Sequence, residues 1–121
     1  MNTGARIFLL EDEALIRMMI VDMVTELGHR VVAEAANIEE GSKQAEVAEF
    51  DLAMLDVNLF GQNSAEVAKV VRGRGLALLF VTGYTSNGLP PPFDRCPTLQ
   101  KPFSIERLKR AIDLALDTGV T

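Results

Sequence analysis

The stretch Ile7-Phe8-Leu9-Leu10-Glu11-Asp12-Glu13 runs four apolar residues straight into three acids, and its reading decides the fold. Apolar residues in an unbroken run, without polar alternation, suit a strand buried on both faces. Three more short apolar runs follow, Val31 to Ala33, Leu52 to Leu55 and Leu76 to Val81, with segments of helical spacing between them. That rhythm predicts an α/β fold, a doubly wound parallel sheet with helices on both faces. After the first run, Ile16, Met19, Ile20, Met23, Val24 and Leu27 fall three and four residues apart, and Gly28 supplies a stop. Asn37 with Glu40 reads as a capping box opening a second helix to about Phe50, and Ser64 as the N-cap of a third running to Arg72. Thr98 to Gln100 supplies a short fifth strand. Ser104 then caps a last helix whose Ile105, Leu108, Ile112, Ala115 and Leu116 form the buried stripe. Gly88, Pro90, Pro91, Pro92 and Pro97 leave room for only a short or irregular fourth helix between the fourth and fifth strands.

The chain of 121 residues supports one hydrophobic core, so residues 1–121 read as a single domain, with 118–121 as a fraying tail. Apolar residues make up 48% and charged ones 24%, the balance of a globular domain. A net charge of −5 repels phosphate backbones and anionic lipid, which argues against direct nucleic-acid binding and against a membrane partner. Cys96 is the one cysteine and His29 the one histidine. An internal disulfide, a His-rich zinc site and Ser-His or Cys-His hydrolysis therefore drop out. The longest apolar run, Leu76 to Val81, is strand-sized, and the expected location is the cytoplasm.

In an open α/β sheet, ligands bind beyond the carboxyl ends of the strands. Glu11 and Asp12 follow the first strand, Asp56 ends the third, Thr82 ends the fourth, and Lys101 with Pro102 follows the fifth. Carboxylates gathered this closely repel one another unless a cation sits among them, and an all-oxygen donor set with open positions favours Mg²⁺. A carboxylate beside such a cation can attack a phosphoryl group, with Lys101 neutralising the phosphoryl oxygens and Thr82 donating to one of them.

In these residues, in their order and spacing, the sequence resembles the receiver domain of two-component response regulators over essentially its whole length. The resemblance implies a flavodoxin-like five-stranded sheet in the order 2-1-3-4-5. It also implies that Asp56 accepts phosphate from a sensor histidine kinase or phosphotransfer protein in a Mg²⁺-dependent reaction, and that the phosphorylated form changes shape to signal to a downstream protein. The metal ligands so implied are Asp12, Asp56 and the backbone carbonyl of Asn58, with Glu11 acting largely through bound water. Such a protein catalyses its own phosphoryl transfer and the hydrolysis of its aspartyl phosphate, and is not otherwise an enzyme. The competing class is a receiver-like interaction module that is never phosphorylated; its mark would be a lost site residue, and none is lost. A haloacid-dehalogenase-like phosphatase is disfavoured because Asn58 stands where that family's general acid would be. A flavodoxin-like nucleotide site fails because the first turn is Glu11-Asp12-Glu13 where a phosphate cradle needs glycines.

The receiver pattern usually has an aromatic three positions before the lysine, and here that position is Thr98. Phe80-Val81-Thr82-Gly83-Tyr84 is instead similar to the Phe-Ala-Thr-Gly-hydrophobic-Tyr type of motif, here with Tyr directly after Gly, of an alphaproteobacterial, single-domain receiver subgroup. This makes Tyr84 the switch candidate, with Gly83 to Pro92 the stretch that phosphorylation would order. The remaining notable residues read as structural: Cys96 as a small filler, His29 as surface, and Met18, Met19 and Met23 as helix core.

Overall fold

The computed structural model describes residues 4–59, 62–83, 93 and 95–118. In chain order the elements are β1 (Arg6–Leu10), α1 (Ala14–Glu26), β2 (Arg30–Ala35), α2 (Ile38–Val47), β3 (Leu52–Asp56), β4 (Asn58–Leu59), β5 (Gln62–Asn63), α3 (Ala65–Gly73), β6 (Ala77–Thr82), β7 (Thr98–Gln100) and α4 (Ile105–Thr118). Five of the strands form one parallel sheet in the order β2-β1-β3-β6-β7. Counting that sheet alone, the order is 2-1-3-4-5, the flavodoxin-like receiver arrangement. The expected fourth helix and Tyr84 fall at positions outside the described residues, as does the tail beyond Thr118.

Side chains alternate across each strand, so one strand feeds two layers. Ile7, Leu9, Leu52, Met54, Leu79 and Val81 pack on one face beneath α1 and α4. Phe8, Leu10, Ala53, Leu55, Leu78 and Phe80 pack on the other beneath α2 and α3. Edge strand β2 is half exposed along its length, which is why its apolar run understates it: polar Arg30 and Glu34 belong to the strand and face water.

Several local expectations need correction. Helix α2 ends at Val47, short of Phe50. The Arg74 guanidinium donates to the carbonyls of Ala45 (2.6 Å) and Ala48 (2.9 Å), so it closes the helix from outside. Phe50 is free of the helix and turns inward, 2% exposed, against Phe8 at 5.3 Å between ring centroids, with the Arg74 charge over its ring. Ser64 does not cap α3; the Ala65 N–H donates to Asn63 Oδ1 at 2.7 Å instead. Met18 and Met19 are exposed, and of the three methionines of α1 only Met23 packs on the core, because the inward face is set by Ile20 and Val24. The paired strands β4 and β5 are too short to show any periodicity in the sequence.

Other expectations hold. Glu40 N–H donates to Asn37 Oδ1 at 2.8 Å, and Glu40 Oε1 accepts from Ala36 N–H, a capping box displaced by one residue. Ser104 Oγ accepts from Arg107 N–H at 3.2 Å. Gly28 (φ 93°) does end α1, and it faces Gly4 (φ 72°), where any Cβ would collide with the Gly28 carbonyl. His29 is more than surface: its Nδ1 accepts from Ala5 N–H at 2.8 Å and ties the start of β1 to this turn.

At the opposite end of the sheet from the acids, Asp51 is gripped by Arg6 through both side-chain and backbone donors, at 2.8 to 3.3 Å. The hydrogen bonds from Arg6 outweigh burial and hold the Asp51 carboxyl below its ordinary value. A carboxyl depressed in the folded state stabilises the protein above its unfolded pKa and loses that contribution as pH falls through the folded one. Asp51→Asn should therefore be less stable than wild type at neutral pH, and the difference should close in acid below about pH 4. Urea unfolding at pH 7 and pH 3 measures it; a gap independent of pH would refute the ion pair's role. Phe50→Ala should cost about 3–5 kcal/mol of unfolding free energy, whereas exposed Met18→Ala should change it by less than about 0.5 kcal/mol.

Candidate functional site

Parallel register brings the strand ends to one rim. Leu10 pairs with Leu55, Asp56 with Val81, and Thr82 with Gln100, so the residues that follow these strands emerge together. Glu11, Asp12, Asp56, Thr82 and Lys101 all stand at this rim, as the sequence reading anticipates.

One carboxylate oxygen from each of Glu11, Asp12 and Asp56 lies within 4.8 Å of the others. Glu11 and Asp56 are buried, at 1% and 7% exposure, while Asp12 is half-buried. Two buried carboxylates side by side repel one another and favour a positive charge between them. Lys101 supplies it, its Nζ lying 3.0 Å from Glu11 Oε1 and 3.3 Å from Asp56 Oδ2. The Lys101 N–H also donates to Thr82 O at 2.8 Å, which fixes the loop after β7 to the end of β6.

Burial pushes the Glu11 carboxyl above its ordinary value, and the neighbouring Asp56 charge adds to this against the pull of Lys101. Burial alone would lower the Lys101 pKa, but Glu11 and Asp56 together outweigh it and keep the side chain an ammonium. Glu11 Oε2 accepts from Glu13 N–H at 3.1 Å. Its Oε1 makes no hydrogen bond of good geometry among the described residues and is held by the lysine charge. This leaves a buried oxygen and two further carboxylates, with no histidine or cysteine beside them among the described residues, a set that fits a hard divalent cation.

Asn58 opens β4 two residues after Asp56 and pairs with Asn63. The Val57 N–H donates to Val81 O at 3.0 Å, so the chain leaving Asp56 is pinned beside Thr82. Tyr84 lies outside the described residues. Sequence reasoning missed Arg17, whose Nη1 donates to Glu11 O at 2.6 Å while its Nε pairs with Glu34 at 3.2 Å. The available signal was an arginine one turn into α1, on the side facing the acidic turn.

The pattern of the response regulator receiver domain matches residues 7–113. The transcriptional regulatory protein PdtaR of Mycobacterium tuberculosis is 32% identical over 115 residues, which are 92% of this chain and 56% of PdtaR. The chain thus spans about half the length of the curated relatives it matches. Among solved structures, SdrG from Sphingomonas melonis Fr1 superposes with a TM-score of 0.85 at 32% identity, covering 96% of this chain and 99% of SdrG. The PhyR receiver domain of Erythrobacter litoralis, at 24% identity and TM-score 0.83 over 98% and 94% of the two chains, shares the fold. With the pattern matched across most of its length and the fold in agreement, the chain belongs to the response regulator receiver domain family.

Proposed function

We propose that the chain accepts a phosphoryl group on Asp56 from a phosphohistidine of a sensor kinase or phosphotransfer protein, and signals by the change of shape that follows. The observation that carries this reading is the Asp56 carboxylate at the sheet rim, with Lys101 Nζ at 3.3 Å and the Glu11 and Asp12 carboxylates within reach of the same cation. In the transfer, an Asp56 Oδ attacks phosphorus. The new O–P bond forms as the N–P bond breaks, and the departing histidine nitrogen keeps the electron pair. Mg²⁺, held by Asp12, Asp56 and the Asn58 carbonyl with Glu11 in support, would neutralise charge on the transferred group. Lys101 turns its ammonium from Asp56 to a phosphoryl oxygen, and the Thr82 hydroxyl donates to another. Water later hydrolyses the aspartyl phosphate and restores the carboxylate.

Thr82 transmits the change, because its carbonyl already holds the Lys101 backbone. A groove of about 350 Å³ between α1 and Pro102-Phe103 opens beside Lys101 and gives a phosphoryl donor an apolar surface to approach. Tyr84 is retained as the switch candidate. Phe80 to Tyr84, with Tyr directly after Gly, supports placement in the receiver subgroup marked by the Phe-Ala-Thr-Gly-hydrophobic-Tyr motif. The acidic net charge and the lack, among the described residues, of a helix long and apolar enough to cross a membrane support a cytoplasmic protein with protein partners.

Incubation with Mg²⁺ and acetyl phosphate, followed by intact-mass measurement, should show a gain of one phosphoryl group in wild type and in Asp51→Ala, and none in Asp56→Ala. Equal labelling of all three would remove Asp56 as the acceptor. Asp12→Asn should weaken Mg²⁺ binding by on the order of tenfold or more, read from amide shifts around Asp12 and Asp56. Lys101→Ala should fold and take up phosphate, yet show none of the distant amide shifts that phosphorylation produces in wild type; a variant that unfolds would make the lysine structural.

A further inference from the structure

Ser64 stands immediately before α3, fully buried, and its Oγ has no hydrogen-bond partner among the described residues. A buried hydroxyl left unsatisfied destabilises the state that contains it. Its position offers an obvious use, because a serine just before a helix normally accepts from the second or third helical N–H, here Glu66 or Val67. Ser64 does not do so. Its backbone lies at φ −85°, ψ 15°, away from the extended conformation that capping residues adopt, and Asn63 Oδ1 serves the helix end through Ala65 N–H at 2.7 Å.

The two caps ask for different backbone angles at Ser64, so they exclude one another. Ser64 is also wired to the site. Its N–H donates to Val57 O at 3.0 Å, Val57 directly follows Asp56, and the Val57 N–H donates to Val81 O next to Thr82. A rotation at Ser64 therefore pulls on the chain leaving Asp56 and on the end of β6 together.

We propose that α3 has two alternative caps, Asn63 in the resting chain and Ser64 when Asp56 is loaded, and that this exchange is part of the conformational switch. The proposal rests on the reading of Asp56 as phosphoryl acceptor. A ligand shifts a two-state equilibrium only through interactions that differ between the states. The unsatisfied hydroxyl is such a difference: it destabilises the resting form and is relieved in the loaded one. Asn63 works in the opposite sense, since its bond exists only in the resting form.

The test uses beryllofluoride with Mg²⁺ as the phosphoryl mimic, with affinity read from amide shifts and resting stability from the thermal midpoint without mimic. Ser64→Ala should raise the resting midpoint and weaken mimic binding about fivefold, whereas Asn63→Ala should lower the midpoint and tighten binding by about the same factor. Ser64→Cys, near-isosteric but a poor acceptor, should follow Ser64→Ala and guards against a repacking effect of the smaller residue. If both positions shift affinity in the same direction, or neither shifts it, while wild type binds the mimic, the cap exchange is overturned and the site reading stands. A wild type that binds no mimic overturns the site reading and the exchange with it.

Discussion

The structure depends on one electrostatic constraint: two carboxylates, Glu11 and Asp56, are buried together at the end of a parallel sheet and both meet the Lys101 ammonium. Among the described residues, the Lys101 ammonium is the charge that meets both carboxylates, and Asp12 lies close by. Removing charged groups from water is expensive, and the pairing offsets that cost only in part. The site is thus a locally unstable arrangement held in place by the rest of the fold, and an incoming cation or anion can rearrange it at modest energetic cost. A rim satisfied by hydrogen bonds alone would give an arriving ligand little to change.

The surrounding elements keep those charges from relaxing apart. Arg17 holds the Glu11 carbonyl, Lys101 N–H holds the Thr82 carbonyl, and Val57 N–H holds the Val81 carbonyl. Each bond joins the end of one strand to a neighbouring segment. The rim therefore moves as a connected unit, which is the condition for a change at Asp56 to be felt at β6 and α3.

Much of this was legible in the sequence because unlike signals agreed. Apolar runs marked the sheet, and the residues just past three of them, with the one just past the short Thr98 to Gln100 strand, supplied acids, a hydroxyl and a lysine. Harder to read were features in which a distant residue overrides a local one. Ser64 looks like a cap on local grounds and is displaced by Asn63. Phe50 fits a helical pattern but leaves α2, because Arg74, from the turn after α3, closes that helix. Met19 has the right spacing for the inner face of α1 and yet sits at its margin, where period alone cannot decide between half a turn in or out. Strand β2 was underestimated because an edge strand mixes polar residues into its run.

The sheet also acts as a partition. Because its two faces carry separate apolar layers, one under α1 and α4 and the other under α2 and α3, the described core residues of one layer cluster apart from those of the other. Substitutions in opposite layers should combine nearly additively, while those within a layer should couple. Sequence drift under α2 and α3 can therefore proceed without retuning the packing of α1 and α4, and a surface built on one helical layer can diverge toward a new partner while the other layer and the shared rim between them stay as they are.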